Sequence, residues 1–112
     1  MPPEDLFRAL GDTTRLRCLM MLLHEEELCV CELTEALALS QPKISRHLAH
    51  LRDAGIAQVR RDGTWVFYRV TEDLPDWVLA VLKATFEGNA NGETFTKDLG
   101  RLRQMASRPA RA

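Results

Sequence analysis

The segment that most constrains this chain is Ser40-Gln41-Pro42-Lys43-Ile44-Ser45-Arg46-His47-Leu48, together with the turn signals that follow it. Ser40 is a good helix N-cap, and Pro42 lies in the first turn, where its missing N–H costs nothing. At roughly 100° per residue, Ile44, Leu48 and Leu51 fall on one stripe that must pack inward. Lys43, Arg46, His47 and His50 cluster elsewhere on the surface. The helix continues to about Ala54, and Gly55 is placed to close it in a left-handed conformation. Ile56–Arg60 and Thr64–Val70 read as two strands, with Asp62-Gly63 between them as a strong hairpin signal. A shorter helix precedes, from about Val30 to Leu39, with Val30, Leu33, Ala36 and Leu37 facing inward. Two short helices joined by a tight turn, then a hairpin, predict a winged helix-turn-helix: a mainly α fold with a β-hairpin wing.

The flanks add helices. Pro2 and Pro3 suit a helix start, with Leu6, Phe7 and Leu10 at helical spacing and Gly11 at its end. Asp12 or Thr13 can cap the next helix, whose apolar stripe is Leu16, Leu19, Met20, Leu22 and Leu23. Residues 74–88 predict another helix, broken by Asn89-Ala90-Asn91-Gly92. Phe95, Leu99 and Leu102 suggest a last amphipathic one. The expected organisation is a single DNA-binding and dimerisation domain over residues 1–106, with a disordered tail over 107–112.

No apolar run approaches the roughly 20 residues of a membrane span, and Met1-Pro2-Pro3-Glu4-Asp5 lacks the basic and apolar regions of a signal peptide. A cytoplasmic location is expected, where thiols stay reduced. The net charge of −1 is no mark of a nucleic-acid binder, but its distribution is. Residues 41–69 hold Lys43, Arg46, Arg52, Arg60, Arg61 and Arg69 against Asp53 and Asp62, so the centre is basic and both ends are acidic. That fits a DNA-facing surface; the bland alternative is a solvated basic face or a winged helix used for protein contacts.

Chemistry assigns the DNA-facing roles. Gln41, Lys43 and Arg46 can read base edges, and Ser40 and Ser45 can meet phosphate or base. His50 is a further candidate, whereas His47, adjacent to the core stripe, reads as a packed structural residue. Arg60 and Arg61, taken as the hairpin tip, would meet phosphate or the minor groove.

Ahead of the recognition helix stands Glu27-Leu28-Cys29-Val30-Cys31-Glu32-Leu33. An isolated Cys-x-Cys often packs as a pair of small hydrophobes. At a helix start, however, the dipole favours the thiolate, so Cys29 and Cys31 are read as soft ligands for a thiophilic metal or metalloid.

These segments, with Leu10-Gly11-Asp12-Thr13-Thr14-Arg15-Leu16 and Gly63-Thr64-Trp65-Val66-Phe67-Tyr68-Arg69, resemble the ArsR-SmtB family of metal-sensing repressors over roughly residues 4–88. The resemblance implies a homodimer on double-stranded operator DNA that leaves when an inducer binds. The Cys-Val-Cys pair is similar to the branch responding to arsenite and antimonite, which implies As(III) or Sb(III) as inducer and no permanent cofactor. That branch often carries a third cysteine three residues after the pair, where this chain has Thr34. Candidate third ligands are Cys18, a cysteine of the other subunit or an exogenous thiol, and two protein thiolates can also suffice. Cys18, among Leu16, Leu19 and Leu22, reads first as a core residue. Cadmium- and lead-sensing relatives add cysteines in an N-terminal extension, and zinc sensors using the C-terminal helix need histidines there; neither pattern occurs here.

On an ideal helix, positions 29 and 31 differ by roughly 200° in direction. The expectation is therefore that one metalloid unwinds the first turn to reach both sulfurs, displacing the recognition helix. The helices at 4–11 and 74–88 are expected to form the dimer interface. A redox-sensing repressor, or a cadmium or lead sensor of the same fold, is the alternative. A thiol enzyme such as an arsenate reductase is disfavoured, because the chain has no phosphate-cradling glycine loop.

Overall fold

The computed structural model describes residues 1–111; Ala112, part of the expected tail, lies outside the described residues. Its elements run α1 (Pro3–Leu10), α2 (Thr13–His24), β1 (Leu28–Cys29), α3 (Val30–Leu37), α4 (Gln41–Asp53), β2 (Ala57–Asp62), β3 (Trp65–Val70), α5 (Asp76–Asn89) and α6 (Glu93–Arg103). The mainly helical winged helix-turn-helix expected from the pattern is the fold observed. No helix among the described residues is long and apolar enough to cross a membrane.

Local signals place most boundaries. Asp12 caps α2 by accepting the Arg15 N–H at 2.9 Å. Ser40 caps α4 by accepting the Lys43 N–H at 3.4 Å. Gly55 closes α4 at φ +79, with its N–H on the Arg52 carbonyl and the Ile56 N–H on that of Leu51. Ile44, Leu48 and Leu51 are fully buried, as their stripe requires. The turn between α3 and α4 passes through Ala38 at φ +55, a left-handed conformation that costs a residue with a Cβ about 1–2 kcal/mol. The tight packing of the two helices offsets that strain.

The sheet departs from the expected hairpin in two ways. It has three strands, ordered β1-β3-β2 and antiparallel throughout, because Leu28 and Cys29 pair with Tyr68 and Phe67. The hairpin turn is Gly63-Thr64, not Asp62-Gly63, since Asp62 pairs with Trp65 and extends the ladder. Gly63, at φ +60, holds the first turn position, where a two-residue loop of this hand needs glycine.

Residues 107–111, expected to be a disordered tail, carry no helix or strand, yet Arg108 and Arg111 reach back to Glu32. The last helix, α6, lies against α2 and α3. Buried Asp98 accepts from Arg17 at 2.8 and 3.0 Å and from Arg101 at 2.6 Å. The same two arginines donate to the Leu37 and Ala36 carbonyls, which the end of α3 would otherwise leave unpaired.

Candidate nucleic-acid interface and thiol site

Cys29 ends β1 and is the N-cap of α3, in extended conformation at φ −70, ψ 150. This overturns the helical-wheel expectation that the two sulfurs point apart, which assumed helical dihedrals at both positions. With Cys29 extended, the Cys31 thiol donates to the Cys29 sulfur at 2.8 Å, and no unwinding is needed to bring them together. The Cys29 sulfur also accepts the Cys31 N–H at 3.4 Å, and the Glu32 carboxylate accepts the Cys29 N–H at 2.8 Å. This is a capping box with sulfur in the place of a hydroxyl.

At Cys31, burial opposes the expected thiolate. Burial first, then the hydrogen bond to Cys29, pushes the Cys31 thiol up to about 12. The helix dipole does not outweigh desolvation, so at neutral pH Cys31 is a thiol. Cys18 is fully buried in α2, and burial pushes it to about 12 too. It does not join the pair: among the described residues no three His, Cys, Asp or Glu side chains gather to hold a metal ion. Thr34 is occupied with the Val30 carbonyl at 2.9 Å.

The pair lies in an open cleft of about 460 Å³ between α4 and the wing. Gln41, Ser45 and Arg52 of α4 line one side, and Arg61 and Trp65 of the wing line the other. Three expected DNA-facing residues, Gln41, Ser45 and Arg61, thus share one surface with both cysteines. Gln41 donates to Ser45 at 2.8 Å, which orients both side chains along the helix. Ser40 is exposed at the start of α4, its hydroxyl used as the cap, and Lys43 is half-buried one turn on. Arg46 and His50 face another way, lining a depression with Asp5, Arg8 and Asp53. His47 is half-buried, 3.6 Å from Asp12 and 3.4 Å from Arg15, and burial holds it below the ordinary imidazole value.

Arg60 is not at the hairpin tip. It stands mid-strand opposite Phe67, gives Glu27 two hydrogen bonds at 2.7 and 2.8 Å, and lies 4.6 Å over the Phe67 ring. Arg60 in turn holds the Glu27 carboxyl below its ordinary value. Arg61, its neighbour in the strand, is exposed. Sequence reasoning gave Arg52, Trp65, Glu27 and Glu32 no individual site role. For Glu32 a signal existed, since an acid three residues after a cap marks a capping box.

A helix-turn-helix with an exposed polar recognition helix and a wing carrying Arg61 defines a winged-helix DNA-binding regulator. The family pattern of bacterial regulatory proteins of the arsR family matches residues 12–59. An arsenic resistance transcriptional regulator of Pseudomonas putida is 51% identical over 109 residues, 97% of this chain and 84% of the relative. The arsenical resistance operon repressor of Escherichia coli is 48% identical over 80 residues, 71% of this chain and 68% of the relative. Among solved structures, HlyU from Vibrio cholerae matches with a TM-score of 0.68 at 34% identity, over 78% of this chain and 90% of that one. An antimony-specific transcriptional repressor matches at 0.64 and 31%, over 79% and 77%. The chain belongs to the ArsR family of bacterial regulatory proteins. It is a DNA-binding transcriptional regulator and not an enzyme.

Proposed function

We propose that the protein is an As(III)- and Sb(III)-responsive repressor that binds operator DNA as a homodimer and leaves it when the metalloid joins Cys29 and Cys31. The observation that carries this reading is the convergence of the two sulfurs, 2.8 Å apart, in the cleft between the recognition helix and the wing. Relatives named for arsenic resistance and a structural neighbour named for antimony specificity support the choice of metalloid.

The donor set fits such an inducer: two thiols with no imidazole among them favour a thiophilic species over zinc. Arsenous acid is neutral and condenses with thiols, each S–H proton leaving with a hydroxyl as water, with no change of oxidation state. A divalent cation would instead have to displace the Cys31 proton. With Thr34 and Cys18 engaged elsewhere, a hydroxyl, an exogenous thiol or a cysteine of the other subunit completes the coordination.

The coupling follows from what Cys29 holds. Through β1 it is paired to Phe67 of the wing, and as N-cap it starts α3, whose tight turn leads to α4. Any displacement of its sulfur reaches both DNA-reading elements. DNA and inducer then favour different states, and each weakens the other by the same factor.

The test is fluorescence anisotropy of reduced protein on its own upstream DNA, with As(III), Sb(III), Cd(II) and Zn(II) added separately. Release by As(III) and Sb(III), lost in Cys29→Ser/Cys31→Ser, is expected; tight binding that ignores As(III) overturns the reading. The closeness of the sulfurs also favours a second reading, a redox sensor, for which peroxide alone would release DNA.

A further inference from the structure

We infer that the segment after α6 is a positioning clamp for the thiol pair, acting through Glu32; the inference rests on the role proposed above for that pair. Glu32 has no exposed surface, and one of its oxygens accepts the Cys29 N–H. It therefore fixes the backbone from which the Cys29 sulfur projects. A buried carboxylate is retained only with cationic or hydrogen-bonding partners. Among the described residues, its cationic partners come from the C-terminal segment alone: Arg108 donates Nε to one carboxylate oxygen and Arg111 a terminal nitrogen to the other.

Those arginines also grip the site's surroundings. Arg111 donates to the Glu27 carbonyl at 2.9 Å and lies 5.2 Å over the ring of Phe67, the register partner of Cys29. Arg108 reaches Glu25 at 3.4 Å. Arg60, on Glu27, covers the same ring. Residues 107–111 contribute no buried side chain to the core. What they add is charge, delivered to the one acid that holds the N-cap cysteine in place. Without them the Glu32 carboxylate loses its cationic partners, and water competes with the Cys29 N–H for it.

The experiment measures sulfur geometry without a metalloid. Dibromobimane, whose two arms must both alkylate thiols before it fluoresces, is applied to the reduced full chain, and the Cys29–Cys31 bridge is assigned by peptide mass. In Arg108→Ala/Arg111→Ala the bridging step should slow about tenfold, the size of one lost charge-assisted hydrogen bond. Single-site labelling of Cys31 by monobromobimane should stay within about twofold, a change expected of surface substitutions. Arg108→Lys/Arg111→Lys, which keeps the charge, should recover part of the rate. Equal bridging in all three proteins overturns the clamp. So does loss of folded structure by circular dichroism in the alanine variant, which would make the segment part of the fold and not a clamp. Because no metalloid is used, a wild-type protein indifferent to As(III) overturns the proposed function and leaves this result standing.

Discussion

Two neighbouring arginines show how finely function is divided at the scale of the residue. Arg60 and Arg61 are chemically identical, and alternation along a strand sends them to opposite faces. Arg60 is spent on Glu27 and Phe67, while Arg61 is exposed beside the recognition helix. Arg61→Ala should weaken operator binding several-fold and reduce the slope of log affinity against log salt by about one. Arg60→Ala should leave that slope unchanged and lower the melting temperature. Equal loss of slope in both variants, measured by anisotropy across a salt series, would assign Arg60 to phosphate after all.

At the scale of the element, α6 is the instructive case. Its apolar periodicity announces an amphipathic helix, but periodicity cannot say what the helix packs on. Asp98, an ordinary polar position in the sequence, becomes buried and draws Arg17 and Arg101 onto the carbonyl end of α3. Removing Asp98 strips both arginines of their charge-assisted hydrogen bonds. Asp98→Ala should cost about 1.5–3 kcal/mol of unfolding free energy in urea, the range for hydrogen bonds to a charged group. A loss below about 1 kcal/mol would mean that the apolar contacts of Phe95 and Leu102 alone hold α6.

For the whole molecule, the outer helices carry the consequence. Phe7 on α1 and Trp77 and Leu79 on α5 are 55%, 41% and 40% exposed, a set of large apolar side chains that a second copy would cover. In the proposed homodimer, built on these helices, the two recognition helices would meet half-sites about 10–10.5 base pairs apart. Inserting five base pairs between the half-sites, about half a helical turn, should abolish tight binding in a gel-shift titration. Unchanged affinity would point to one recognition helix acting alone.

Local signals in the sequence were enough for the helix-turn-helix, the cap at Ser40, the closure at Gly55 and the presence of a wing. These rest on dihedral preferences and hydrogen bonds spanning a few residues, which a linear pattern records. It took the folded chain to bring the sulfurs of Cys29 and Cys31 together, to pair Arg60 with Glu27 in mid-strand and to bury Glu32. Cys29 is extended because β3 offers it a strand to pair with, which no helical wheel contains. Arg17 finds Asp98 across 81 residues and Arg108 finds Glu32 across 76. Contacts at such separation depend on the chain's path in space, so local spacing carries no trace of them.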